Sequence, residues 1–193
     1  MDAQTTKTID AESNREAKAV YAGGCFWCTE SDLRKVPGVI DVISGYTGGE
    51  SANPTYGNHG DHKEAVQVLY DPSVVTFKKL GQFFLDHIDP TDAGGQFYDR
   101  GSAYQTAIFY KNDEEKKIAE GLIAELDAAK IYENPIVVAV LPEKPFYKAE
   151  EYHQQYSSKN PSHYYAYKDG SGRTEFQART CAIMDQKGFK WKG

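Results

Sequence analysis

The sequence predicts a single α/β domain built on a mixed β-sheet. Its 193 residues suit one domain. Segments rich in β-branched residues alternate with segments whose apolar residues recur at helical spacing, in the order βαβ, β, α, β, α, β. One pair of consecutive strands is joined by a connection too short for a parallel crossover, so antiparallel pairs must occur in the sheet.

The first half of the chain contains three of the predicted strands. The first covers 17–22, and a helix over 29–36 follows it and ends at Pro37-Gly38. The second strand covers 39–44 and the third covers 64–70, which ends at Asp71-Pro72. A long loop over 45–60 separates these two strands, and loops of this length in compact domains are usually functional or mobile.

The second half alternates helices with single strands. Thr76 is expected to cap a helix whose apolar face extends to residue 88, and a second long loop covers 89–101. A strand over 106–110 precedes a helix that is capped by Asn112 or Asp113. The last predicted strand covers 136–141.

The two ends of the chain carry little pattern. Residues 1–16 are polar and lack the apolar stretch of a signal peptide, so we expect a flexible N-terminal tail. From 164 to 193 the chain is again polar with little periodicity, which predicts a C-terminal tail or extension after a catalytic domain over 17–163. The longest apolar run, over 136–141, is too short to cross a bilayer.

Composition excludes several classes of function. The formal net charge is −6, with 22 basic and 28 acidic residues, which disfavours general nucleic-acid binding. Three cysteines are too few for a secreted disulfide scaffold and fit a reducing compartment such as the cytoplasm.

Candidate chemistry begins where the first strand meets the first helix. The segment GGCFWC, 23–28, places Cys25 at a helix start, where free N–H groups and the helix dipole favour a thiolate. Cys28 lies one turn further on, a spacing that allows a disulfide with modest adjustment. Alternatively, both thiols are small buried core residues. They could also form half of a zinc site, but that site needs a second pair of Cys or His ligands, and Cys181 is a single cysteine without a partner at ligand spacing.

The neighbours of Cys25 suggest an apolar pocket with an acid at its mouth. Phe26 and Trp27 are either core aromatics or the wall of a pocket for a methyl or thioether group. Glu64 shares a strand face with Val66 and Val68, so burial would raise its pKa and keep it protonated as a general acid. A solvated strand-end glutamate is the competing interpretation.

The long loops contribute further polar side chains. Tyr56 and Tyr104 could donate hydrogen bonds to a substrate oxygen, although loop tyrosines usually only pack. His59 and His62, in the segment HGDH, raise the question of a metal, but the loop offers no third convincing ligand.

Taken together, these segments resemble the A-type peptide methionine sulfoxide reductases. The similar blocks occur in order over most of the chain: GGCFWC (23–28), GYTGG (45–49), NPTY (53–56), HKEAV (62–66), DPTDAGGQFYDRGSAY (89–104) and EYHQQY (151–156). The resemblance implies a two-layer α/β sandwich with a ferredoxin-like core and long loops. It also implies reduction of the S-epimer of methionine sulfoxide, free or in proteins, with thioredoxin as reductant and neither metal nor organic cofactor. We expect a monomer that binds neither nucleic acid nor membranes.

The resemblance assigns a role to each matching residue. It makes Cys25 the nucleophile, Phe26 and Trp27 the wall of the methyl pocket, and Glu64 the acid that protonates the sulfoxide oxygen. It makes Tyr56 and Tyr104 the hydroxyls that hold that oxygen, and Asp99 the loop acid near the pocket.

Two departures from the common family pattern concern the second half of the reaction. The usual residue after GCFW is Gly, and this chain has Cys28. The C-terminal segment is not the familiar Gly-rich recycling tail, yet it carries Cys181. Cys28 is the favoured resolving thiol because it needs no long loop closure. Cys181 is either a relay to a more exposed disulfide or a bystander.

Two other classes stay open from sequence. A general thiol–disulfide oxidoreductase would use Cys25 and Cys28 but would have no need of Glu64 and the tyrosine loops. A non-enzymatic zinc module would lose its fold on chelation.

Overall fold

The computed structural model describes residues 16–193 and confirms the predicted α/β class. The strands are β1 Ala17–Ala22, β2 Val39–Thr47, β3 Lys63–Tyr70, β4 Gly95–Gln96, β5 Asp99–Arg100, β6 Ala107–Tyr110, β7 Ala139–Pro142 and β8 Tyr147–Lys148. The helices are α1 Phe26–Leu33, α2 Phe77–Asp86, α3 Asp113–Ala128, α4 Tyr156–Lys159, α5 Pro161–Gly170 and α6 Arg173–Gln186. Except for Glu16, the predicted N-terminal tail lies outside the described residues.

The main sheet has the strand order β7-β6-β1-β3-β2-β8. Its four central strands are all antiparallel and come from a βαββαβ unit, which is the ferredoxin-like arrangement. β7 adds a parallel pair beside β6, and β8 adds an antiparallel pair beside β2, so the sheet is mixed as the sequence predicts. β4 and β5 form a separate small hairpin inside the second long loop.

Alternation along the strands separates two apolar clusters. Ala19 and Tyr21 of β1 face the helices and join the main core, which includes Leu80 and Phe84 of α2. Val20 belongs to a smaller cluster on the opposite face, with residues of β3 and β6. The helices therefore form one layer and the sheet the other, which is the expected two-layer sandwich.

Both predicted helix caps are present, and the first helix starts earlier than expected. The Thr76 hydroxyl accepts the Lys79 N–H at 3.2 Å, and Asn112, rather than Asp113, caps α3 by accepting the Glu115 N–H at 2.9 Å. Helix α1 begins at Phe26 instead of residue 29, because Cys25 itself occupies the N-cap position.

The C-terminal segment is helical, which differs from the prediction of little regular structure after 164. Helices α5 and α6 are held largely by buried polar groups, so they show no apolar periodicity in the sequence. Lys168 of α5 forms an ion pair with Asp32 of α1, with Nζ 2.9 Å from Oδ1, and both side chains are buried. Arg173, the first residue of α6, is 2% exposed and donates to the Gly23 carbonyl at 3.0 Å. Among residues 16–193, no helix combines the length and apolarity that a membrane span requires.

Replacing Lys168 tests this anchor. Lys168→Met should lower the free energy of unfolding by about 3 kcal/mol, because it removes the buried cation of the Asp32 carboxylate and leaves only the exposed Lys35 to pair with it. Urea titration followed by circular dichroism measures the change. The control is Lys130→Met, which breaks an exposed ion pair with Asp127 and should change the free energy by less than about 1 kcal/mol. Equal unfolding midpoints for the two variants would contradict the assignment.

Candidate active site

A pocket of about 250 Å³ lies where β1 runs into α1. Residues from four parts of the chain line it: Cys25, Phe26, Trp27, Tyr56, Glu64, Asp99, Tyr104, His163 and Tyr167. Every residue predicted to meet the substrate is therefore at this one pocket. His163, the last residue of the predicted catalytic domain, and Tyr167, in the predicted C-terminal extension, were missed because no motif or periodicity marked either of them.

The turn that presents Cys25 is tightly packed. Gly24 has φ +78°, in the left-handed region that favours glycine. A Cβ there would lie 2.4 Å from Cβ of Gln96 and 3.2 Å from Nη2 of Arg173. Gln96 is itself buried and anchors the second long loop through a bond to the Asp89 carbonyl at 2.7 Å. The turn, the loop and α6 therefore meet directly behind the thiol.

Glu64 is connected to the same helix start. Its side chain is 2% exposed, and Oε2 accepts the backbone N–H of Phe26 at 3.0 Å. Burial raises the pKa of Glu64, and this effect outweighs the lowering contributions of His59 and of the Phe26 N–H. The carboxyl group is thus favoured in its neutral form, which can donate a proton.

The thiol pair behaves differently from the sequence expectation. Burial raises the pKa of Cys25, and Cys28 and the carboxyls of Glu64 and Asp99 raise it further. The helix start does not compensate, since the Cys25 side chain accepts no capping hydrogen bond from the first turn of α1. The prediction of a thiolate favoured at Cys25 is therefore wrong for the resting site.

Cys28 is the more acidic thiol of the two. The neighbouring Cys25 thiol lowers the pKa of Cys28, and the buried cations Arg173 and Lys168 lower it further against the effect of burial. Cys28 is fully buried and packs with Cys25 and Tyr164. All three cysteines are free.

Cys181 is not part of the pocket. It is exposed on α6, eight residues beyond Arg173, which corresponds to about 12 Å of helix. Because α6 is anchored at Arg173, Cys181 is not on the mobile tail that a relay would use.

Two phenols face the pocket in protonated form. Burial raises the pKa of Tyr56 to about 12 and also raises that of Tyr104. The Tyr56 N–H donates to Glu150 Oε1 at 3.0 Å, and Glu150 also accepts from the Tyr46 hydroxyl at 2.9 Å. These bonds fix the first long loop against β2. Both hydroxyls can therefore donate to an oxygen held between them.

Asp99 also lines the pocket, and it is bound by a residue of α5. Its Oδ2 accepts the hydroxyl of Tyr167, and burial raises the pKa of the carboxyl group. The ring of Tyr167 also meets Trp27 edge-on, with centroids 6.1 Å apart. Helix α5 thus closes one wall of the site.

The indole of Trp27 is held by a stacking contact and by a hydrogen bond. It stacks on Tyr156 with ring centroids 3.8 Å apart and an interplanar angle of 7°. Its Nε1 donates to Nδ1 of the buried His153 at 3.0 Å. Phe26, 1% exposed, packs behind it against Tyr46 and His153. Tyr156 and His153 lie in the EYHQQY block, which was the available signal for them.

The two histidines of HGDH have separate environments. His62 holds its own loop, with Nε2 2.7 Å from the Ser51 carbonyl and Nδ1 3.3 Å from the Gly49 N–H. His59 instead faces Glu64. Within the described part of the chain, no group of three or more His, Cys, Asp or Glu is arranged to hold a metal ion.

The chemistry of this pocket narrows the class of protein. A pair of thiols lies beside a neutral carboxylic acid and two phenols, and a thiol–disulfide exchange needs no such proton donors. An oxygen leaving a substrate as the thiol attacks does need them. The fold and the site define a thiol-dependent oxidoreductase that acts on an oxidised substrate.

Comparison with known proteins identifies the family. The family model described as peptide methionine sulfoxide reductase matches residues 17–184, so the chain belongs to the peptide methionine sulfoxide reductases. The Bacillus subtilis peptide methionine sulfoxide reductase MsrA is 48% identical over 168 residues, which cover 85% of this chain and 95% of that protein.

Solved structures agree with this assignment. Reduced Mxr1 from Saccharomyces cerevisiae superimposes with a TM-score of 0.71 and 34% identity, over 80% of this chain and 91% of that one. A second structure of Mxr1, in complex with Trx2, superimposes with a TM-score of 0.54 and 30% identity, over 78% of this chain and 91% of that one. The zinc-module alternative and the general disulfide reductase are thereby set aside.

The packing behind Cys25 generates a stability test. Gly24→Ala should lower the free energy of unfolding by about 1–3 kcal/mol, because the methyl group meets Gln96 and the backbone is held at positive φ. Thermal unfolding followed by circular dichroism measures it. Gly57→Ala is the control, since a Cβ at Gly57 meets nothing within 4 Å. A Gly24→Ala midpoint at or above that of Gly57→Ala would show that the turn tolerates a side chain.

Proposed function

We propose that the chain reduces the S-epimer of methionine sulfoxide, free or in proteins, with Cys25 as the nucleophile. The arrangement of Glu64, Tyr56 and Tyr104 around the same pocket as the Cys25 thiol carries this assignment. The aromatic side chains of Phe26 and Trp27 supply an apolar surface for the methyl group of the substrate.

The first step transfers an oxygen atom to Cys25. As the substrate enters, the phenols of Tyr56 and Tyr104 bind its oxygen, and the neutral Glu64 donates its proton to that oxygen. A neutral Glu64 also removes the repulsion between a carboxylate and a thiolate at Cys25. The Cys25 thiol gives up its proton to solvent, and its sulfur attacks the sulfoxide sulfur as the protonated oxygen leaves with the S–O electron pair. That hydroxide then bonds to the Cys25 sulfur, the bond between the two sulfurs breaks with its electron pair returning to the methionine sulfur, and methionine and a sulfenic acid on Cys25 result.

The second step uses Cys28. Its sulfur, whose pKa is lowered by the nearby cations Arg173 and Lys168, attacks the Cys25 sulfenic sulfur. The S–O bond breaks, the hydroxyl leaves as water with one proton, and a Cys25–Cys28 disulfide forms. Cys181 is a bystander in this scheme, because α6 is packed on the domain.

An external dithiol completes the cycle. We assign this role to thioredoxin, in the cytoplasm and with the chain acting as a monomer. The structure of the related Mxr1 in complex with Trx2 supports the choice of reductant. Exchange with the Cys25–Cys28 disulfide returns both thiols and leaves the reductant oxidised.

Cysteine variants separate the steps. Cys25→Ser should form no methionine, because the attacking sulfur is gone. Cys28→Ser should release about one methionine per chain and then stop with thioredoxin, because the sulfenic acid has no internal partner. Methionine is counted by chromatography with and without reductant. The control is Cys181→Ser, which should retain sustained turnover. Sustained turnover in Cys28→Ser together with its loss in Cys181→Ser would move the resolving role to Cys181.

Replacing the acid tests the first step. Glu64→Gln should slow methionine formation in a single turnover by about 100- to 10,000-fold with little loss of substrate affinity, since an amide is a far weaker acid. In the unmodified chain this rate should fall as the pH rises through the raised pKa of Glu64, because the proton is lost, and the variant should lack this inflection. Quenched-flow chromatography measures both.

The matched control is Glu114→Gln, which replaces an exposed carboxyl group on α3 and should react at the original rate. A single-turnover rate for Glu64→Gln equal to that of the control would remove Glu64 as the acid.

A further inference from the structure

His59 is a site residue to which neither the sequence motifs nor the mechanism above gives a role. Its Nε2 lies 3.5 Å from Oε1 of Glu64. That nitrogen is buried and has no hydrogen-bond partner among the described residues, whereas the side chain as a whole is 20% exposed. A buried ring nitrogen without a partner is costly unless the site uses it.

Three tyrosine rings hold the imidazole in place. It meets each of them edge-on, with centroid distances of 5.6 Å to Tyr46, 5.9 Å to Tyr56 and 6.1 Å to Tyr104. The two last tyrosines are the proposed oxygen-binding phenols. The direction of Nε2 toward Glu64 is therefore set by the walls of the pocket itself.

The two oxygens of Glu64 are not equivalent. Oε2 accepts the Phe26 N–H, so the proton of the neutral acid belongs on Oε1, the oxygen that faces His59. A proton on Nε2 of His59 can be donated to a lone pair of Oε1. The O–H group of the acid is then left free to point toward the substrate oxygen.

We propose that His59 is a positioning residue that orients the proton of Glu64 toward the substrate and stabilises the carboxylate formed when that proton leaves. In this step the Oε1–H bond of Glu64 breaks, the proton goes to the sulfoxide oxygen, and the new carboxylate keeps two donors, the Phe26 N–H and His59 Nε2–H. Solvent returns the proton to Glu64 before the next turnover. The inference rests on the proposed role of Glu64 as the acid.

The electrostatics of the pocket agree with this role. His59 lowers the pKa of Glu64 against the larger raising effect of burial, which is the direction expected of a group that favours the carboxylate. Six other titratable groups interact with Glu64 or His59, and none of the six is a lysine or an arginine. They are Cys25, Tyr46, Tyr56, Asp99, Tyr104 and His153. Without His59, the pKa of Glu64 should rise further.

Two variants of His59 test the donor. His59→Leu should slow single-turnover methionine formation by about 10- to 100-fold, the effect of losing a hydrogen bond to a charged group. Its alkaline inflection should move to higher pH. His59→Gln places an amide donor near the position of Nε2 and should stay within about threefold of the original rate. Binding of N-acetyl-methionine sulfoxide, measured on Cys25→Ser with and without each change, should be unaltered.

Controls separate this effect from damage to the loop. Asn58→Ala changes an exposed neighbour in the same loop and should keep the original rate and pH profile. If His59→Leu does not fold, His59→Asn replaces it, since its shorter amide reaches the position of Nδ1 and should be slow where His59→Gln is fast. The proposal would be overturned if His59→Gln lost as much rate as His59→Leu, or as His59→Asn where that variant is used, and if the alkaline inflection of the pH profile stayed in place.

A double variant distinguishes the two levels of the mechanism. Because His59 acts through Glu64, His59→Leu combined with Glu64→Gln should be no slower than Glu64→Gln alone. Additive losses would overturn the role of His59. If Glu64→Gln reacts at the original rate, the role of Glu64 as the acid is overturned. If Glu64→Gln is slow but His59→Leu reacts at the original rate, only the inference about His59 is overturned.

Discussion

The hydrogen bond from the Phe26 N–H to Oε2 of Glu64 is the contact on which the site depends. It joins the first turn of α1 to strand β3, so the residue before Phe26 and the carboxyl group are brought to one pocket. It also gives a partner to the N–H of the first helical residue, which has none within the helix. Burial raises the pKa of both groups, which favours the protonated thiol at Cys25 and the protonated carboxyl group at Glu64.

The C-terminal helices complete the site by polar rather than apolar contacts. Lys168 and Arg173 are buried beneath α1, where they pair with Asp32 and with the Gly23 carbonyl. Buried charges are costly, and they persist when each has its partner. In this protein they also contribute to lowering the pKa of Cys28, so the residues that anchor the C-terminal segment act on the thiol pair as well. Helix α5 adds Tyr167 to the pocket through its bond to Asp99.

Several features could be predicted because they depend on short-range chemistry. Thr76 and Asn112 cap their helices since a side-chain oxygen satisfies an N–H three residues away, whatever the rest of the fold does. The alternation of β1 and β3 places Tyr21 and Val66 toward the core for a similarly local reason. By contrast, α6 was missed because its buried residues, Arg173, Thr180 and Met184, do not follow an apolar period, and a buried arginine has no signature in the sequence.

By itself, the sequence determined the α/β class, the position of Cys25 at a strand–helix junction and most of the side chains that line the pocket, with His163 and Tyr167 as the exceptions. It could do so because strand alternation, helix capping and the order of the motif blocks depend on the spacing of residues along the chain. Only the tertiary structure decided which thiol of the pair is the more acidic, that Cys181 stays outside the pocket, and that His59 faces Glu64. These properties depend on burial and on distances between residues from separate segments. A pKa is shifted by burial, and a nitrogen is left without a partner, only when the folded segments exclude water from the site.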